Sequence, residues 1–299
     1  MILTWGITNP TTIVSKSQRY EALIQEHNLD LFSASETAAT ELVQKIFSQK
    51  MRACAFRSVW SAPLPDRVER SDRQPSLRGK AAGVALFGRW PLRRIHGTLP
   101  QETEATSRLG HFLLELGSWQ LQVLVIYGLP HSGADRANHQ LLQAALQAAD
   151  TFNLPFLIMG DFNCNPLEIL GDEAHARQLT DLKALFASHT GRIMPCTCKG
   201  VTWPDNAVAC PRTARWIHDI KVCPPGDFDT HQVVIFKMSI PQTSLQTLHL
   251  PLPRTWTGLT IDTHLLPEAY TQATQTLGVP DCLTQWGEVV ECAVDIAYR

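Results

Sequence analysis

An α/β or α+β fold is predicted for the first 240 residues of this 299-residue chain. Three observations carry that expectation. Short apolar and β-branched runs alternate with amphipathic helical stretches. Polar residues able to do chemistry stand where several of those runs end. Past Met238 the composition shifts to Pro, Thr and Gln, so the compact domain is expected to stop near residue 240.

The elements follow in order. Ile2–Thr8 alternates β-formers and reads as a strand, stopped by Asn9-Pro10. Residues 17–28 carry a Ser start, a charged face and apolar spacing, which predicts a helix. Leu29–Ala34 is a short strand running into Ser35-Glu36-Thr37, and residues 38–50 form a second helix. Cys54–Trp60 reads as a strand, 61–79 as a Pro/Arg/Ser-rich loop and Ala81–Phe87 as a strand. His111–Leu116 and Gln120–Tyr127 form a hairpin turning at Gly117-Ser118. Residues 134–151, rich in Ala, Leu and Gln, are a helix, and Leu154–Met159 is a buried strand ended by Gly160. Leu179–Ser188 is expected to be helical, with Trp216–Val222 and Val233–Met238 as strands. Residues 239–257, with Pro241, Pro251 and Pro253, read as a linker. Residues 262–297 read as one or two short helices, too few to hold a sizeable core alone. The expected division is therefore 1–240 and 241–299.

A hydrophobic content of 44% and a charged content of 18% suit a globular protein, and the net charge of −2 selects no partner. The charge is uneven. Residues 52–94 hold ten Arg/Lys against three acids, a local balance of +7, whereas two basic and six acidic residues lie past 240. The band suits a polyanion, or else a solvated Arg-rich loop. The eight Cys form no Cys-x-x-Cys pair, which disfavours a zinc cluster and leaves free thiols in a reducing compartment as the simpler expectation. The N-terminus lacks the form of a secretory signal and no run has the roughly 20 apolar residues of a membrane helix. An intracellular protein with no membrane partner is expected.

The most informative segment is Gly160-Asp161-Phe162-Asn163. A buried strand that stops at Gly and delivers an acid and an amide to its C-terminal edge is how α/β proteins build sites. Residues two apart in extended chain point the same way, so Asp161 and Asn163 can share a pocket. An acid for a proton or cation beside an amide that donates to oxygen suits phosphate chemistry; an Asp–Asn turn after a core strand is the alternative. Further polar residues end other runs: Asn9, Glu36, Tyr127, Asp219 in Trp-Ile-His-Asp-Ile, and His231 in Asp-Phe-Asp-Thr-His.

This ordered set resembles the endonuclease/exonuclease/phosphatase superfamily, over residues 1 to about 240. Gly160–Asn163 matches its Gly-Asp-Phe-Asn signature in full. Ser35-Glu36-Thr37 is similar to its Gln-Glu-Thr segment, Arg215 to Ile220 to its Arg-Ile-Asp-Tyr strand, and Asp229-Thr230-His231 to its Ser-Asp-His. The resemblance implies a DNase I-like four-layer sandwich: two packed, mainly antiparallel sheets flanked by helices. It also implies a metal-dependent phosphodiester hydrolase. In that reading Glu36, supported by Asn9 and Asp229, holds Mg²⁺, with Mn²⁺ as a substitute. Asp219 orients the imidazole of His231, Asp161 handles the nucleophile or leaving-group proton, and Asn163 and Tyr127 donate to the phosphate. Three departures stand out. Thr230 occupies the usual Asp place, leaving Asp229 or Asp227 to stand in; the run after Tyr127 is one residue longer and ends in His131; and Trp5 precedes Asn9 by four.

The superfamily cuts nucleic acids, inositol phosphates and phospholipids. The Arg-rich band favours DNA. The start near the first strand and the Trp286 to Glu291 tail resemble the endonuclease of non-LTR retrotransposon polyproteins, which implies a nuclear DNA endonuclease with a reverse transcriptase domain downstream. A phosphatase or phospholipase of the same fold, or an inactive nucleic-acid-binding relic, are the alternatives.

Overall fold

The computed structural model describes residues 1–13, 16–62, 82–99, 107–130, 135–224, 226, 228, 230–240, 266–277, 289–290 and 292–293. The expected 61–79 loop lies almost wholly outside these residues, as do positions 241–257 of the expected 239–257 linker, His131, Asp227, Asp229 and Trp286. The chain divides into two compact units, Met1–Thr243 and Ser244–Arg299.

The first unit holds two six-stranded sheets. Sheet one contains β1 (Ile2–Thr8), β2 (Leu31–Ala34), β3 (Arg57–Trp60), β4 (Ala85–Gly88), β11 (Ile217–Val222) and β12 (Val234–Ser239), in the order β11-β12-β1-β2-β4-β3. Sheet two contains β5 (Leu92–Arg94), β6 (Leu109–Leu116), β7 (Trp119–Tyr127), β8 (Phe156–Asp161), β9 (Thr180–Asp181) and β10 (Asp205–Ala209), in the order β5-β6-β7-β8-β10-β9. Each sheet has one parallel pair near its centre, β1 with β2 and β7 with β8; the other pairings are antiparallel. The expected mainly antiparallel sandwich is what forms.

Period-two alternation decides the layers. On β7, Leu121, Val123, Val125 and Tyr127 join the core between the sheets, while Leu124 and Ile126 face the helix α3 (Asp135–Asp150). On β1, Leu3, Trp5 and Ile7 point into the same inner core, where Trp5 stacks on Phe236 with centroids 5.9 Å apart. The outer face of sheet one is covered by α1 (Ser17–His27) and α2 (Glu41–Ala53) through an aromatic cluster of Tyr20, Phe32, Phe47 and Phe87. Each such ring pair contributes roughly 0.5–1.5 kcal/mol beyond its burial.

Between residues 166 and 214 the structure is richer than the sequence pattern suggests. It contains α4 (Pro166–Leu170), α5 (Asp172–Ala176), α6 (Leu182–Thr190) and α7 (Pro211–Ala214). The expected 179–188 helix starts later because Asp181 caps it, Oδ1 accepting from the Ala184 N–H at 2.8 Å. β10 has no strand signature: Asp205 and Asn206 are turn formers, and only three small or medium apolar residues follow. Its pairing with β8 makes it a strand, a tertiary contact overriding weak local preference.

In the second unit, α8 (Leu266–Leu277) packs through Ala269 and Ala273 against Val289 and Ala293. No helix among the described residues is long and apolar enough to cross a membrane.

Candidate active site

The inward parity of the strands carries one step past the core to a polar cluster at the mouth of the sandwich. Continuing Leu3, Trp5, Ile7 by two residues gives Asn9. Continuing Leu157, Met159 gives Asp161, and reading Ala209, Ala207 backwards gives Asp205. Tyr127 closes the same series on β7. Asp161 pairs in register with Asp205 across β8 and β10, and with Tyr127 across β7 and β8.

Two glycines allow this convergence. Gly160 has φ +142°, and a Cβ there would run into the Ile126 carbonyl and the Ser35 hydroxyl. That hydroxyl donates to Ile126 O at 2.9 Å and accepts from the Asp161 N–H at 3.1 Å, tying the end of β2 to β7 and β8. Gly128 lets Phe162's carbonyl pass where a side chain would collide with it. Its own carbonyl accepts from Asn163 Nδ2 at 3.0 Å. Glu36 and Asn163 both sit at positive φ, +55° and +51°. Such strained, non-glycine backbone persists where surrounding contacts enforce it.

The side chains form a chain of hydrogen bonds. Asp205 Oδ2 accepts from His231 Nδ1 at 2.8 Å. The neutral ring then presents a bare Nε2, which faces Asn9 Nδ2 at 3.4 Å. The same amide donates to Asp161 Oδ2 at 2.6 Å, and Asp161 Oδ1 accepts from the Asn163 N–H at 3.0 Å. Glu36, half-buried, accepts from Asn9 and from the Tyr127 phenol. His231 is held by the 196–202 turn, which bridges to it at Cys198 and donates Lys199 N–H to Thr230 O.

Burial pushes the Asp161 carboxyl up to about 7, helped by the Asp205 charge and opposed by His231, Asn9 and Asn163. Burial likewise raises Asp205 and Glu36. For His231, burial pulls the imidazole down, but the hydrogen bond and charge of Asp205, then Asp161 and Glu36, outweigh it and leave it above the ordinary range. Crowded, desolvated carboxylates favour a cation among them. Ligand atoms of Asp161, Asp205 and His231 lie within 4.8 Å of one another, and Asp205 Oδ1 is buried with no hydrogen-bond partner. An oxygen-rich donor set of this kind fits a hard divalent ion.

Asn9, Glu36, Tyr127, Asp161, Asn163 and His231 are thus brought together. Asp219 is not. It lies on edge strand β11 beside a register shift between His218 and Lys221, has its side chain 55% exposed and pairs with Lys237 Nζ at 2.6 Å. The Lys237 hydrogen bond holds its carboxyl below the usual range. Asp205, unassigned from sequence, is the carboxylate that orients His231, so the expected Asp219–His231 pair is corrected. Its only local signal is an acid opening a short apolar run, Pro204-Asp205-Asn206-Ala207-Val208. Arg108 and Ser35 at the cleft also went unassigned.

No family model and no curated protein sequence matches the chain. Solved structures do, and they are nucleases and phosphatases of the endonuclease/exonuclease/phosphatase superfamily. The two six-stranded sheets flanked by helices are the DNase I-like fold. An AP endonuclease from Archaeoglobus fulgidus superposes with TM-score 0.58 at 15% identity, over 80% of this chain and 100% of that one. The 3′ phosphatase NExo from Neisseria, bound to product DNA hairpin, gives 0.57 at 15% identity over 80% and 100%. The endonuclease domain of TRAS1, a telomere-specific non-LTR retrotransposon, gives 0.55 at 10% identity over 81% and 100%. Identities this low establish a common fold.

Proposed function

We propose that the chain is a divalent-metal-dependent phosphodiester hydrolase of that superfamily, acting on DNA as an endonuclease of retrotransposon type. The carrying observation is the buried relay Asp205–His231–Asn9–Asp161 with Glu36 beside it. The DNA-linked neighbours support the substrate class, and the retrotransposon domain among them supports the finer reading.

A phosphodiester repels nucleophiles, so its hydrolysis needs charge neutralisation, an aligned water and a protonated leaving oxygen. Asp205 fixes the His231 tautomer with Nδ1 protonated, leaving Nε2 to accept a proton from water or to face a phosphate oxygen. Asp161, with its raised pKa, manages the nucleophile or the leaving-group proton. The second N–H of Asn163 Nδ2 donates to a phosphate oxygen, and Tyr127, whose single O–H is held by Glu36 beforehand, turns that proton to the phosphate when substrate enters. Glu36, with Asn9 beside it, would hold Mg²⁺ or Mn²⁺, with Asp161 and Asp205 completing the negative pocket. When bound, that ion neutralises charge on the phosphate. DNA is the partner in this reading, with a nuclear setting and a reverse transcriptase domain as the companion activity.

The test is nicking of supercoiled plasmid in Mg²⁺, wild type beside Asp161→Ala. Nicking by the wild type alone, with phosphoinositides untouched, supports the assignment. Phosphoinositide hydrolysis without nicking selects the phosphatase reading. DNA binding without cleavage in either metal selects the relic, for which Thr230 in the usual Asp place is the motivating residue.

A further inference from the structure

A buried arginine stands behind the cleft. Arg108 precedes β6 directly opposite the end of β7, since Leu109 pairs with Ile126, so its side chain shares the inner face with Tyr127. It is 7% exposed. Its guanidinium lies over the Tyr127 ring, 5.0 Å from the centroid, and its charge acts on Glu36 as well as on that phenol. Burying an arginine at the floor of a cleft is costly unless opposite charge surrounds it. Here the opposite charge is Glu36, whose carboxylate accepts from the Tyr127 hydroxyl. Ring face, phenol and carboxylate thus form one stack, Arg108 on Tyr127 on Glu36, at the strained turn where Glu36 sits at positive φ.

We infer that Arg108 is a positioning residue, the fixed countercharge that keeps Tyr127 and Glu36 aimed into the cleft before substrate or cation arrives. The inference rests on the hydrolase reading, but its physical core is separable. A permanent cation beside the Glu36 carboxylate competes with any divalent ion that carboxylate binds. It therefore weakens ion affinity while improving turnover, a combination that a merely structural arginine would not produce.

The experiment compares the full-length wild type with Arg108→Met and Arg108→Lys. Mn²⁺ binding is read from the electron paramagnetic resonance signal of free Mn²⁺, and plasmid nicking is measured in parallel. Arg108→Met is expected to bind Mn²⁺ about fivefold tighter, from removal of the repelling charge. Its kcat should fall about tenfold, with KM changed less than about threefold, because the groups it aims act in the transition state. Arg108→Lys keeps the charge and loses the planar stack, so its Mn²⁺ affinity should stay within about twofold of wild type while kcat falls about threefold. Should Arg108→Met not fold, the Lys variant decides alone: affinity and turnover falling together overturns the inference. Equal or weaker Mn²⁺ binding by Arg108→Met overturns it, as does an unchanged kcat, or no Mn²⁺ uptake by any of the proteins. A wild type that binds Mn²⁺ and cuts no phosphodiester removes the hydrolase reading, while the affinity comparison still rules on Arg108.

Discussion

Two imidazoles sit in side-chain hydrogen-bond networks, and they differ in what surrounds them. His111 on β6 is fully buried, its Nε2 facing Gln122 Oε1 at 3.0 Å and its Nδ1 facing Thr98 Oγ1 at 2.9 Å. Gln122 Nε2 donates to the carbonyls of Ala149, Phe152 and Leu154, so its Oε1 must accept and the His111 tautomer is fixed with Nε2 protonated. Both partners are neutral, and burial lowers the pKa. His231 has a carboxylate on Nδ1 and a free edge on Nε2, and its pKa is raised. The sealed ring is a structural tie and the ring that keeps an open edge is a chemical group. The charge and spare hydrogen-bonding capacity of the neighbours decide between them.

The sharpest way to break that contrast is His231→Ala, which should lower turnover about 10²–10⁴-fold, the usual size of an acid–base contribution. His111→Leu should leave turnover per folded molecule unchanged within about twofold, because its partners point into the outer layer rather than the cleft. A loss of less than about threefold in folded His231→Ala would remove the assigned role.

Next in size is the pair of aspartates. Asp205→Asn keeps the shape but can donate to Nδ1, which favours the wrong tautomer, so a loss of about 10²-fold or more is expected. Asp219→Asn forfeits only an exposed ion pair with Lys237 and should change turnover less than about twofold. Reversed magnitudes in steady-state nicking would restore the sequence-based pairing and sink the structural one.

These two residues also mark where the sequence was legible. The Gly-Asp-Phe-Asn turn is local: Gly160's positive φ, the Asp161 Oδ1 to Asn163 N–H bond and the buried β8 all lie within a few residues. So do the ends of β1 and β7, which is why Asn9 and Tyr127 could be named. Asp205 is different. It becomes a site residue only because β10 pairs with β8, placing it opposite a residue 44 positions earlier, and nothing in its own neighbourhood announces a strand. Asp219 misled for the converse reason. Its strand is genuine, but the irregularity beside it interrupts the alternation, leaving Ile217 and Ile220 inward and the carboxylate in solvent. Arg108 is buried by its cross-strand partner, again a non-local fact. The layers were legible because alternation is local; the site's electrostatics were not, because they are set by register.

On stability the order inverts. His111→Leu leaves Gln122 Oε1 and Thr98 Oγ1 to find new partners in a dry layer, which should cost about 1–3 kcal/mol in urea unfolding. If the variant is as stable as wild type, the network is not holding the strand pair and the comparison loses its structural half.

The smallest effect concerns pH, and the two histidines should leave opposite marks in metal-free protein. For His111 the folded pKa lies below the unfolded value of about 6.5. The unfolded chain then gains a proton that the folded chain refuses, so this contribution to stability is intact above about 6.5 and is lost as pH falls from there through the folded pKa. For His231 the folded pKa lies above the unfolded one. Its contribution is fully present below about 6.5 and is lost as pH rises through the folded value. Urea midpoints measured in EDTA across this range should therefore respond separately. His111→Gln should flatten the acid side of the profile and leave the alkaline side alone, and His231→Gln should do the reverse. If both substitutions altered the same side, the two imidazoles would share one electrostatic environment, and the distinction between neutral and carboxylate neighbours would no longer account for their difference.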